Sequence, residues 1–191
     1  RICPSKGHDL VIEAARRLRD ESPAVCHFRF IGEAPTPEET NAVRETIRRD
    51  GLSDLVELRG YRVDIASELA AMDLLLIPSV AEPFGRTLCE AAEARVPVLL
   101  SDSGGLGEIS HAFEIGVRFE PGNVDDLIAR LRGVRQDYAA VRQQFSAAAD
   151  RLLRGLDMAA YVRTIEGLIT EAAAGRPASV VCARARARGD R

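Results

Sequence analysis

The chain has 191 residues, 46% of them apolar, with 29 acidic against 26 basic side chains for a net charge of −3. That length suits one domain able to bury about 70% of its unfolded surface, and ordinary apolar content with a small net charge excludes a wholly disordered chain. A net-acidic chain with three Tyr, six Phe and no Trp lacks the footprint and stacking platform of a nucleic-acid binder, and its longest clean apolar runs, 74–77 and 96–100, fall far short of the ~20 residues that cross a bilayer.

Residues 8–20 place Leu10, Val11, Ala14, Ala15 and Leu18 at the three-four spacing of an amphipathic helix. The alternating stretch 27–32 ends in Gly32 and predicts a strand. Thr36 reads as an N-cap, with Pro37 at the first helical position and Glu39 three residues on, for a helix to about Asp50 that stops at Gly51. A second strand over 55–59 closes at Gly60. Asp64 caps a short helix to Met72, and 74–77 is a continuous apolar strand before Pro78. The alternation then continues with a helix over 86–94, a strand over 96–100, a helical turn over 106–110 and a strand over 117–119. Asn123 caps a helix through Val134, with Asp125 and Asp126 in its first turn. Two more helices are predicted, roughly 138–154 and 158–174. Continuous apolar strands separated by helices predict a doubly wound α/β fold, a parallel sheet covered on both faces.

From Gly175 onward the periodic apolar face ends, and 175–191 carries five arginines against one aspartate. A disordered Arg-rich tail is the expectation, with a basic patch for anionic lipid or RNA as the alternative. The four cysteines form no C-x-x-C pair and the three histidines no zinc spacing, so free cysteines in a reducing cytoplasm are expected. The first residue is Arg1 and no charged-then-apolar leader follows, which reads as a chain beginning inside a longer protein. Every basic residue except Lys6 is arginine. A lone lysine directly before Gly7 raises the question whether an ammonium is needed there; survival of one lysine in a biased composition explains it equally.

In open parallel sheets ligands bind at the carboxyl ends of the strands, so the loops after the strands are the place to search. The richest runs from Pro78 through Glu82, Pro83, Phe84 and Gly85 into the helix that carries Glu90. Gly85 would let a ligand approach the backbone, and the following amides of Arg86, Thr87 and Leu88 are the open donors of a helix start, a setting for phosphate. Glu90 could accept two hydrogen bonds from a vicinal diol such as a ribose, while Glu82 could face whatever hangs off the phosphates. A solvated loop and a helix surface would carry two such glutamates as well. The Gly104-Gly105 loop fits either a tight turn or close ligand contact. No G-x-G-x-x-G occurs, against an NAD or FAD site, and no G-x-x-x-x-G-K-[ST], against a P-loop. No D-x-D pair offers an obvious carboxylate clamp for a divalent metal. A diphosphate would then be met by side-chain cations, for which Arg1 and Lys6 are the candidates.

Together these elements resemble a known family. Arg1 through Gly7, Gly32-Glu-Ala-Pro35, Val56 through Gly60, Pro78-Ser79, Glu82-Pro-Phe-Gly85 through Glu90, Pro97-Val98, Gly104-Gly105 with Glu108, and Pro121-Gly122 stand in the order of family 4 (group 1) retaining glycosyltransferases. The resemblance covers roughly 1–174 and implies the carboxyl-terminal, donor-binding half of a GT-B enzyme, a Rossmann-like domain preceded by an amino-terminal acceptor domain. It implies that Arg1 and Lys6 neutralise the diphosphate of a nucleoside-diphosphate sugar and that Glu82 faces the sugar. Glu90 would hold the ribose, the backbone of Phe84, Gly85, Arg86, Thr87 and Leu88 would bind phosphate and sugar oxygens, and Gly32 and Arg59-Gly60-Tyr61 would line the donor and its base. The implied chemistry is sugar transfer with retention and without a metal, cytoplasmic, with a peripheral position at the inner membrane face compatible with it. A non-catalytic nucleotide-sugar-binding remnant and a related nucleotide-sugar 2-epimerase are the alternatives. Arg95, where a glycine usually ends the Glu90 helix, Ala34 for a glycine and Gly107 for a common proline depart from the pattern.

Overall fold

The computed structural model describes residues 2–21 and 26–155; Arg1, the helix expected over 158–174 and the Arg-rich tail lie outside the described residues. After a single 3-10 turn at Pro4–Lys6 the order is α1 (His8–Glu21), β1 (Phe28–Ile31), α2 (Pro37–Arg49), β2 (Val56–Gly60), α3 (Ile65–Ala70) and β3 (Leu75–Ile77). Then follow α4 (Arg86–Ala94), β4 (Val98–Ser101), α5 (Gly104–Phe113), β5 (Val117–Phe119), α6 (Val124–Gln136) and α7 (Tyr138–Gly155).

The caps are those that the sequence predicts. The side chain of Thr36 accepts from the Glu39 amide at 3.2 Å, that of Asp64 from Ser67 at 3.0 Å and that of Asn123 from Asp126 at 3.0 Å. Each satisfies one open donor of its helix start. Most boundaries shift by a residue or two from expectation, and two of the differences bear on the site. The fourth strand starts at Val98, not at residue 96, although the Pro97 carbonyl still accepts from the Leu75 amide at 2.9 Å. The helical turn expected over 106–110 is a full helix that begins at Gly104. Two glycines at its start weaken the helix signal, but they are required sterically. A Cβ at Gly104 would lie 2.8 Å from the Glu82 carbonyl oxygen, and one at Gly105 2.0 Å from that of Pro83.

All strand pairs are parallel, as expected, but the strands form two sheets instead of one. β1 pairs with β2, and β3–β4–β5 form the second sheet in that order. Successive residues of β4 point to opposite faces and feed two cores. Leu99 joins α1, α6 and the residues of β1 and β2, while Val98 and Leu100 join α4, α5 and α7. Helices thus cover the strands on both faces. With Leu99, Leu100, Leu106, Leu127 and Phe119 almost wholly excluded from water, each large side chain contributes about 1.5–3 kcal/mol of burial. This packing holds the loops after the strands at one common end of the molecule.

Candidate functional site

The site is assembled by stitching the first turn of the chain onto the loop after β3. The Val80 amide donates to the Ser5 carbonyl at 3.0 Å, and Gly7, at φ +70°, closes the 3-10 turn through its own amide to Pro4 at 3.1 Å. This places Lys6 over the loop that leaves β3. There its Nζ donates directly to Glu82 Oε2, and the Ser79 hydroxyl reaches the same oxygen at 3.4 Å. The Glu82 side chain keeps only 17% of its surface in water, against 36% for Lys6. A carboxylate so far removed from water needs a cation beside it, and a compact ammonium on a flexible stem supplies a point charge where a planar guanidinium would not.

The Glu82 loop is fixed from below by α5. The Leu106 amide donates to the Glu82 carbonyl at 3.3 Å, and the Ser103 hydroxyl donates to that of Ser79 at 2.9 Å. The Gly104-Gly105 pair therefore serves close backbone contact between α5 and residues 82–83. Gly85, at φ +82°, turns the chain into α4, and a Cβ there would lie 2.7 Å from Leu106 Cδ1. The amides of Arg86 and Thr87 stand in the first helical turn, where no intrahelical acceptor exists. The Leu88 amide, expected among the open donors, instead donates to the Gly85 carbonyl at 2.9 Å, and the Leu88 side chain is fully buried. Glu90 lies a turn further on, 41% exposed, with Arg86 3.7 Å away.

Lys6, Ser79, Glu82, Thr87 and Glu90 line one cavity. The expected donor-binding residues on β1 and β2 form a separate group. The Gly32 amide donates to the Gly60 carbonyl at 2.9 Å, and the Glu33 side chain accepts from the Tyr61 amide at 3.4 Å. Arg59 is held by Glu57 and Glu68, each at 3.1 Å, and Arg62 joins it on Glu68 at 3.1 Å. Its guanidinium is thus engaged by carboxylates of its own sheet and the nearby α3. Tyr61 and Phe84 are exposed. The Ile2 amide donates to the Glu33 carbonyl at 2.9 Å, which ties this group to the turn carrying Lys6. Arg1 lies outside the described residues.

Sequence reasoning missed three residues here. Ser79 was present only as part of a quoted motif. Glu33, which braces the β1 and β2 loops, gives no signal of its own. His8 lines the same cavity as Lys6, packs edge-on against Phe30 with ring centroids 5.0 Å apart, and has a buried Nδ1 without a partner among the described residues. Burial holds its imidazole below the ordinary histidine value, with the Cys3 backbone pulling the other way. A lone histidine at a helix start offers no pattern from which this could be read. Among the described residues no group of three or more His, Cys, Asp or Glu side chains could hold a metal ion, and no helix is long and apolar enough to cross a membrane.

The parallel α/β fold of this chain is that of solved GT-B glycosyltransferases. The chain superposes on Anabaena Alr3699/HepE in complex with UDP with a TM-score of 0.74 and 28% identity, over 92% of this chain and 47% of that one. It also superposes on the C-terminal domain of a group 1 family glycosyl transferase (LpcC) from Francisella tularensis, with a TM-score of 0.67 and 26% identity over 82% of both. Among curated proteins, glycogen synthase of Mycobacterium tuberculosis is 37% identical over 94 residues, 49% of this chain and 23% of that protein. The sequence profile described as "Glycosyl transferases group 1" matches residues 1–151. The chain belongs to that family. It spans about half or less of HepE and of the glycogen synthase.

Proposed function

We propose that this chain is the donor-binding half of a retaining hexosyltransferase, which takes a sugar from a nucleoside diphosphate and gives it to an acceptor held by an amino-terminal domain. The observation that carries the reading is the Lys6–Glu82 pair in one cavity with Thr87 and Glu90, at the start of α4. The diphosphate would lie against Lys6, Arg1 and the amides of Arg86 and Thr87, where a helix start favours anions. On binding, Lys6 would be shared between Glu82 and a phosphate oxygen, and Glu82 would turn toward the sugar. Glu90 would accept from the ribose hydroxyls, and the main chain around Gly32, Gly60 and Tyr61 would line the base. HepE, 28% identical, is solved with UDP, and at 27% identity also with UDP-glucose, which supports a nucleotide-sugar donor.

In the transfer the bond from the anomeric carbon to the diphosphate oxygen breaks, and the acceptor hydroxyl oxygen bonds on the same face while its proton passes to the departing diphosphate. Negative charge grows on the departing diphosphate, and fixed cations there act on the transition state more than on the bound donor. No metal is assigned to this step, and the proposed place is the cytoplasm, with the inner membrane face compatible. The test is thermal stabilisation of the chain by UDP, GDP and ADP against NAD. Selective stabilisation by one nucleoside diphosphate, weakened by Lys6→Ala, is expected. Equal stabilisation by NAD, or a silent Lys6→Ala, overturns the assignment. A panel of UDP-, GDP- and ADP-sugars on the full-length enzyme then identifies base and sugar.

A further inference from the structure

The loop after β2 is pinned by two glutamates from different elements. Glu33, just beyond β1, accepts from the Tyr61 amide at 3.4 Å. Glu68 of α3, whose side chain keeps only 10% of its surface in water, holds both Arg59 and Arg62 on one oxygen, Oε1, each at 3.1 Å. A carboxylate so withdrawn from water stays charged only with cations beside it. Tyr61 and Val63, in the same loop, stand in solvent.

The two arginines differ in what is left to them. Arg59 gives one terminal nitrogen to Glu57 and the other to Glu68, and its Nε is buried. Its fork is already occupied. Arg62 is engaged through Nε alone: Glu68 is its one partner among the described residues, and its side chain is 41% exposed. Both of its terminal amino groups remain for something outside the loop. A guanidinium is a planar fork that donates and cannot accept, and one anchored at Nε has lost part of its rotamer freedom before a ligand arrives.

We propose that Arg62, positioned by Glu68, meets the edge of the donor's base and makes the site select a base with ring carbonyl oxygens, uracil or guanine, over adenine. On the donor-binding reading, on which this rests, the base lies along Gly60 and Tyr61. A carbonyl oxygen accepts from the fork, and in guanine the neighbouring ring nitrogen accepts as well. Adenine carries an amino group in place of that oxygen. Two donors then face each other, and the charge-assisted hydrogen bond is lost. Glu68 touches no ligand; it fixes the direction of the fork.

Calorimetric titration of the chain with UDP, GDP, ADP and inorganic pyrophosphate tests this. UDP or GDP should bind about tenfold more tightly than ADP, or better, the margin of one charge-assisted hydrogen bond. Arg62→Ala, a change at an exposed side chain, should erase that margin by weakening the favoured nucleotide, and should leave ADP and pyrophosphate where they were. Glu68→Gln should shrink the margin in the parent chain and have no effect on it once residue 62 has been changed to alanine, which a merely structural role for Glu68 would not produce. If Glu68→Gln does not fold, Arg62→Ala alone decides. ADP bound as tightly as UDP and GDP, a loss of pyrophosphate in parallel with the nucleotide, or a margin unchanged in Arg62→Ala would each overturn the inference and leave the donor site standing. A Glu68→Gln effect that persists beside Arg62→Ala would overturn the positioning role. Indifference of the parent chain to all three nucleotides would fell the donor-binding reading itself, and this inference with it.

Discussion

Gly7 lies so close to the Pro78 carbonyl that a Cβ on it would sit 2.1 Å from that oxygen. The turn that presents Lys6 can rest on the loop after β3 only because residue 7 has no side chain, and its φ of +70° is itself disfavoured for other residues. Gly7→Ala should therefore lose about 1–2 kcal/mol from the left-handed backbone alone, with the overlap adding to it. A fall in the urea midpoint at constant m-value measures this. Because the displaced turn carries Lys6, stabilisation by UDP should fall in the same variant, whereas a purely local defect would leave it intact.

Glu90 is proposed to touch ribose and not phosphate, and that difference can be read directly. Glu90→Ala should weaken UDP by one or two charge-assisted hydrogen bonds, each worth about 1.5–3 kcal/mol, and leave the affinity for inorganic pyrophosphate nearly unchanged. Calorimetric titration with both ligands tests this. Parallel loss of both ligands would place Glu90 at the phosphates, and no loss of either would remove it from the site.

Arg95 ends α4 in the left-handed region at φ +59°, where glycine is the usual residue. Its side chain compensates by reaching α7, with 2.6 Å to Asp150 and 3.0 Å to the Ser146 carbonyl. Relief of the backbone is worth about 1–2 kcal/mol, and a half-exposed ion pair about 0–1 kcal/mol. Arg95→Gly should thus be neutral or slightly stabilising, while Arg95→Ala, which keeps the strained backbone and loses the pair, should destabilise by about 1 kcal/mol. Chemical denaturation of the two variants side by side separates backbone from side chain.

The α/β class and the caps at Thr36, Asp64 and Asn123 were legible because each is a local signal, an apolar strand or a capping residue, whereas the meeting of Lys6, Glu82 and Glu90 at one cavity was implied only by the family resemblance, since no local signal joins residue 6 to residue 82. The left-handed end of α4 at Arg95 was legible through the same resemblance, in whose pattern a glycine usually stands there. The division into two sheets was not, because strand pairing is a long-range relation and neither edge of β1 or β3 is marked in its own residues. The length of α5 was hidden by Gly104 and Gly105, whose steric purpose appears only when Glu82 and Pro83 are packed against them. The Leu88 amide was misassigned for a related reason. A helix start offers open donors in general, but a turn bond to Gly85 had already used this one.

His8 couples the same cavity to pH. Burial lowers its imidazole below the ordinary 6.5, so the unfolded chain takes up a proton at a pH where the folded chain still resists it. Stability rises with pH wherever the unfolded state binds more protons. The chain should accordingly lose stability as pH falls from about 7 through the ordinary histidine value, and the His8 contribution levels off, without recovery, once both states are protonated. The carboxylates of Glu13, Glu45 and Asp64, held low by their hydrogen-bond partners, contribute further down, below their own ordinary values. His8→Gln removes the titrating group while keeping a polar side chain of similar reach. Urea midpoints at pH 7.5 and 5.5 should differ clearly in the parent chain and much less in the variant. An equal pH dependence in the two would mean that His8 is solvated and that its contact with Phe30 does not keep water from the ring.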